Sequence, residues 1–180
     1  MSTAVATKTK WAIDTTHSEV QFKVKHLVIS TVTGAFKKFQ GDVVSESDDF
    51  NGAAVSFSLD VNSLDTNQAD RDGHLKSEDF FAAGRFPSIG FSGVLDKVSG
   101  DKYKLVGELT VRDVTRSETF DVEFGGVVKD PWGNIKAGFE INGKVNRKDF
   151  GLTWNALTEA GGMVVGEDVK LHINVELVKA

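Results

Sequence analysis

The chain has 180 residues, 40% of them apolar and 26% charged, with a net charge of −5. That length suits one domain with a sizeable core, and the composition excludes general disorder. Dispersed Lys and Arg leave no basic footprint for nucleic acid, no run of ~18 apolar residues could span a membrane, and the lack of Cys excludes a disulfide framework or thiolate site.

The aromatic residues are skewed, thirteen Phe against one Tyr. Phe lacks the polar handle of Tyr and Trp, so this surface is expected to look inward or toward an apolar ligand. The opening MSTAVATKTKW holds no apolar segment of the kind a secretory signal requires. Residues 1–10 are expected to form a flexible N-terminus and residues 11–180 the domain. The expected compartment is the cytoplasm, or the periplasm or exterior if a leader has been removed.

In chain order, Asp14-Thr15-Thr16-His17-Ser18 is a turn-like polar cluster. A strand follows with Val20, Phe22 and Val24 on one face and Gln21, Lys23 and Lys25 on the other. Residues 26–33 break this alternation and read as a short helical turn or an irregular crossing. Residues 34–44 resume as strand, with Phe36 and Phe39 out of period, and a bulge between them would return both to one face. The third strand carries Val55, Phe57, Leu59 and Val61 inward.

The stretch from Asp65 to Pro87 does not read as strand. It is polar through Arg71, Asp72 and His74, then turns aromatic at Phe80, Phe81 and Phe86. Connections of this length are usually functional. The expectation is a short helical lid around residues 65–82, with a polar tip and an aromatic underside, set over the mouth of a barrel.

Strands then recur at Ile89–Leu95, Tyr103–Val111, Phe120–Phe124, Ile135–Val145 and Val169–Leu177. Gly125-Gly126 suggests a bulge or sharp bend. Residues 146–166 form a second long irregular segment, with Phe150 and Trp154. Eight strands with one apolar face each predict an all-β fold, an eight-stranded antiparallel up-and-down barrel. In that arrangement the long connections, including the lid, fall at one end and the short polar ones at the other.

Gly93, Gly107 and Gly143 fall at inward positions. Such glycines mark the approach of a ligand, or else face large Phe rings or relieve coiling at a bend. The ligand reading is the expectation here, and a barrel ~25 Å tall suits a long chain better than a compact metabolite.

His17, His26, His74 and His172 show no metal-ligand spacing, so neither a metal nor a cofactor is expected. Asp14, His17 and Ser18 invite a hydrolase reading, but no GxSxG elbow surrounds the serine, and turn hydrogen bonds account for the same residues. No catalytic residue is assigned. Arg71, Asp72 and His74 are either a solvated helix face or a polar rim meeting a ligand head group. Phe80, Phe81, Phe86, Phe150 and Trp154 either cover a cavity or plug the barrel end.

Several motifs carry a resemblance that spans Trp11 to Val178. Asp14-x-x-His17-Ser18 with Phe22 and His26 resembles the opening of the YceI-like family of polyisoprenoid-binding proteins. Arg71-Asp72-x-His74-Leu75, Phe80-Phe81, Phe86-Pro87, Gly107-x-Leu109-Thr110 and Asn146-Arg147-x-x-Phe150-Gly151 are similar to that family's later motifs. The resemblance implies a lipocalin-like barrel holding a long apolar ligand, a polyisoprenoid or a fatty-acid-like amphiphile, often as a homodimer and without catalysis. It implies that Phe22, Phe36, Phe91, Phe124 and Phe139 line a tunnel, with Arg71 and His74 near its mouth. Many members are periplasmic, and this chain departs from them in its opening residues. Adding the remaining aromatic candidates, the expected ligand-binding residues also include Phe39, Phe80, Phe81 and Trp154. The competing expectations are a hydrolase acting on a lipid-like substrate through His17 and Ser18, and a filled barrel acting through protein partners.

Overall fold

The structure is a computed structural model that describes residues 8–27, 29–46, 49–155 and 164–180. Among these, eleven strands form one sheet: β1 (Thr9–Ile13), β2 (Glu19–His26), β3 (Ser30–Phe36), β4 (Phe39–Ser45), β5 (Ala54–Asp60), β6 (Leu64–Asp65), β7 (Ser88–Ser99), β8 (Lys102–Val111), β9 (Val114–Lys129), β10 (Ile135–Asn146) and β11 (Val165–Lys179). The α-helix α1 (Ala69–Lys76) lies between β6 and β7, within the lid predicted around residues 65–82. Short 3-10 turns occupy Val61–Ser63 and Arg147–Phe150.

All pairings are antiparallel, and β1 bonds to both β4 and β11, which closes the sheet. Both β1 and β2 lie against β11, so they are two halves of one stave broken at residues 14–18. Likewise β3 and β4 make one stave, and β5 and β6 another. The eleven strands therefore form eight staves, the predicted closed barrel. The connections from β2 to β3, β6 to β7, β8 to β9 and β10 to β11 leave the staves at one end, and those from β4 to β5, β7 to β8 and β9 to β10 at the other.

Local departures from expectation have identifiable causes. Residues 26–33 are a hairpin, neither helical turn nor crossing: His26 stands opposite Ser30, and β3 starts there. The misleading residue is Ile29, apolar yet 87% exposed in this connection. The stave between Phe36 and Phe39 breaks rather than bulging. Lys37 donates its backbone N–H to Ser63, and Asp60 donates to Lys38, so the wall continues through irregular bonds. At Gly125-Gly126 the expected bulge is present. Gly138 pairs with Gly126 and Phe139 with Phe124, leaving Gly125 as the extra residue, and Gly126 adopts φ +112°, which favours glycine. Of the predicted flexible N-terminus, residues 1–7 lie outside the described residues, and β1 begins at Thr9.

The short-connection end is sealed by aromatics. Phe50, from residues 46–53, folds under the barrel and packs against Trp11, Phe124 and Phe139 at centroid distances of 5.3, 5.4 and 4.9 Å. Each large apolar side chain so buried contributes roughly 1.5–3 kcal/mol. The interior is thus a cup, closed below and covered by α1 and its flanking residues above.

Candidate ligand-binding chambers and their lid

Inward side chains of the staves leave two chambers, both lined by apolar surface. The deep one, about 100 Å³, lies among Val43, Val55, Phe91, Leu105, Phe120, Phe139, Ile141 and Val175. The lid-side one, about 140 Å³, lies among Phe22, Phe36, Leu59, Phe80, Phe81, Ile89, Leu109, Val169 and Leu171. Phe57 and Ile173 border both.

The inward glycines do not supply this space. A Cβ on Gly93 would meet the Phe91 ring at 2.9 Å and Val106 O at 2.5 Å, and one on Gly107 would meet Phe91 Cζ at 2.9 Å besides the Ser92 carbonyl. Gly143 sits directly beneath the Phe120 ring, and Gly34 beneath that of Phe22. The expectation that Gly93, Gly107 and Gly143 mark ligand space is corrected: they accommodate neighbouring Phe rings and backbone, and the chambers lie beyond those rings.

The lid is fastened by polar groups and covers with aromatic ones. Thr66, 3% exposed, donates from its N–H (2.9 Å) and its hydroxyl (2.5 Å) to Asp72 Oδ1. Arg71 donates through Nε to Thr66 Oγ1 at 2.8 Å and through Nη2 to Thr66 O at 2.6 Å. Arg71 and Asp72 therefore clamp α1 to the end of β6, a role different from either expectation for them. Past the helix, Phe81 N–H donates to Leu75 O and Ala83 N–H to Lys76 O, folding the chain back so that Phe80 and Phe81 reach the lid-side chamber. His74 Nε2 donates to Asp79 Oδ2 at 2.9 Å, and its ring stands edge-on to Phe80 and Trp154 at 5.1 and 4.7 Å.

The second long connection is organised by Arg147, which the sequence offered only as part of a motif. It is 5% exposed and donates to four carbonyls: Gly166 from Nε, Leu152 and Trp154 from Nη1, and Val165 from Nη2. Burial pushes its guanidinium pKa down, opposed by the charge of Glu167. A buried Arg amid charged and polar residues is invisible to a search for apolar periodicity; only its place beside Phe150 could have drawn notice.

The eleven expected binding residues are distributed unevenly. Phe22, Phe36, Phe80 and Phe81 border the lid-side chamber, and Phe91 and Phe139 the deep one. Phe39 lies against Phe57 at 6.2 Å, Phe124 belongs to the aromatic seal, and Arg71, His74 and Trp154 belong to the lid and its fastening. Leu59, Ile89, Leu109, Val169 and Leu171 are aliphatic lining that a search for aromatics passed over.

The Asp14–Ser18 motif sits outside the chambers, where β1 gives way to β2. Asp14 N–H donates to Glu176 O at 2.8 Å, and Glu176 N–H donates to Ser18 Oγ at 2.9 Å, stitching the broken stave to β11. His17 Nδ1 lies 2.8 Å from Asp14 Oδ2, and the Thr16 hydroxyl donates to Asp14 Oδ1 at 2.6 Å. Hydrogen bonds from Thr16 and His17, with Lys136, hold the Asp14 carboxyl well below the usual carboxylate range. Among the described residues, Asp14, His17 and Glu176 place ligand atoms within 4.8 Å of one another. The Lys136 ammonium, 3.0 Å from Asp14 and 2.8 Å from Glu176, already supplies the cation there.

Comparison with known proteins is consistent with this architecture. The family model described as the YceI-like domain matches residues 11–177. A UPF0312 protein of Staphylococcus aureus is 38% identical over 169 residues, covering 93% of this chain and 96% of its own length. BcnA of Burkholderia cenocepacia shares the fold at a TM-score of 0.79 and 20% identity, covering 91% of this chain and 98% of its own. A polyisoprenoid binding domain from Saccharophagus degradans does so at 0.68 and 14% identity, covering 94% and 98%.

Proposed function

We propose that this chain, which belongs to the YceI-like domain family, binds the hydrocarbon chain of a polyisoprenoid or fatty-acid-like amphiphile inside its barrel and serves to carry, store or sense it without catalysis. The observation that carries the proposal is the pair of apolar chambers in series beneath an aromatic lid. The fold shared with a polyisoprenoid binding domain supports it.

The lining decides the ligand class. Burying a polar group without a hydrogen-bond partner costs roughly 2–7 kcal/mol, so the head group stays outside the chambers and the chain enters them. Each buried methylene contributes ~0.8 kcal/mol, and ten give ~8 kcal/mol gross, reduced by association and ordering costs. Each chamber is below the ~300–1,000 Å³ of ordinary ligand pockets. A long chain therefore occupies both, with side chains at their junction moving aside.

The polar motif at the stave break gives no support to a hydrolase: Ser18 Oγ accepts from the Glu176 amide, and among the described residues no hydrogen bond joins it to His17, which meets Thr16 and Asp14. The test is native mass spectrometry of the purified protein, followed by organic extraction. A stoichiometric long-chain amphiphile is expected. Protein that stays empty after exposure to polyprenols and to fatty acids would overturn the proposal.

A further inference from the structure

Phe57 on β5 and Ile173 on β11 are the side chains that border both chambers. In the ring of staves, β5 and β11 are separated by β1/β2 and β3/β4, two of the three broken staves. The two residues thus approach the axis from well-separated parts of the wall, at the level where the interior divides. This is a waist.

The wall beside Phe57 is built around its ring. Phe57 is paired with Gly41, and its ring lies against the glycine: a Cβ there would stand 3.3 Å from Phe57 Cδ2, 2.9 Å from the Ser56 carbonyl and 2.7 Å from Ile13 Cδ1. Between these two broken staves, moreover, paired register runs to Ala12 opposite Asp42 and resumes only at Val20 opposite Phe36. The register is thus interrupted beside Gly41, the partner of the one aromatic ring at the waist. Phe57 is also only partly buried, unlike the buried rings of Phe22, Phe91 and Phe120.

Resting on the amphiphile-binding reading above, we propose that Phe57 gauges the length of the bound hydrocarbon chain. Short chains fill the lid-side chamber and stop at the ring. Longer chains turn it aside and continue along Ile173 into the deep chamber. Affinity then rises with chain length in two stages separated by a pause: where methylenes enter free apolar space each adds about fourfold, and at the waist the increment falls toward unity.

The experiment measures Kd for saturated fatty acids in steps of two carbons, on the wild-type protein, Phe57→Ala and Phe57→Trp, each checked for native fold by circular dichroism. Wild type is expected to show the pause. Phe57→Ala should abolish it and tighten long chains selectively, and Phe57→Trp should hold long chains at the affinity of short ones. Phe57→Leu replaces the alanine variant if that one does not fold, with the same expected direction. Wild-type binding with superimposable profiles in the variants would overturn the gauge and leave amphiphile binding standing. Failure of wild type to bind any fatty acid or polyprenol would overturn both.

Discussion

The imidazole of His74 stands edge-on to the indole of Trp154, with ring centroids 4.7 Å apart and planes at 86°. This contact joins the lid helix to the connection held by Arg147, the two elaborated segments at the long-connection end. Phe80 completes the cluster, 5.4 Å from Trp154, and its own ring borders the lid-side chamber. On the proposed reading, ligand exchange beneath the lid parts the His74–Trp154 contact.

Trp154→Ala should accordingly loosen the lid more than the barrel. An aromatic pair contributes ~0.5–1.5 kcal/mol beyond its area, so ligand dissociation should accelerate about two- to tenfold, while the thermal midpoint moves little. Stopped-flow displacement of a fluorescent fatty acid reads the rate. Unchanged dissociation would mean that exchange does not pass under the lid.

The inward glycines give a second prediction. Gly107→Ala places a methyl against the Ser92 carbonyl, the Gly93 Cα and the Phe91 ring. Overpacking of this kind costs ~1–3 kcal/mol, a thermal midpoint lower by roughly 2–12 °C for a chain of this size. Gly138→Ala, with nothing within 4 Å of the added methyl, should stay within ~0.5 kcal/mol of wild type. Equal effects in the two variants would refute the steric reading.

How far the sequence could be read follows from the same residues. The barrel was legible because runs such as Val20, Phe22 and Val24 alternate with Gln21, Lys23 and Lys25, and a period of two admits only a sheet with one buried face. The lid was legible as a long interruption of that period. The glycines were not, because Gly93 and Gly107 look alike in sequence whether a ligand or the Phe91 ring fills the space above them. The Asp14–Ser18 clasp was hidden because its partners, Lys136 and Glu176, lie over a hundred positions away. Arg147 was hidden because its partners are backbone carbonyls, which leave no trace in composition.

Arg147 yields the third prediction. Its planar fork reaches four carbonyls at once, and a lysine, with a single ammonium on a flexible stem, cannot reproduce that geometry. Stranding even one buried carbonyl costs ~1–3 kcal/mol, so Arg147→Lys should destabilise the fold by at least ~1 kcal/mol and should raise hydrogen exchange around residues 150–155 and 164–166. Wild-type protection in those amides would show that the connection is held by something other than Arg147.

The clasp at the stave break sets the pH dependence. Asp14 is held below its ordinary value, chiefly by the Thr16 and His17 hydrogen bonds, and Lys136 is raised, chiefly by Glu176 and then Asp14. For the carboxyl, the stabilisation is complete above the unfolded pKa of ~3.9 and is lost as pH falls toward the native value. For the ammonium it is complete below the unfolded pKa of ~10.4 and is lost as pH rises through the native one. Stability attributable to the clasp should therefore be level from about pH 4 to 10 and fall on both sides. Asp14→Asn removes the acid edge from this source and takes from Lys136 one of three carboxylates within 4.0 Å, so the alkaline edge should begin earlier. Urea midpoints measured from pH 2 to 11 separate the cases: parallel acid limbs in wild type and variant would show that the low native pKa of Asp14 contributes nothing to folding.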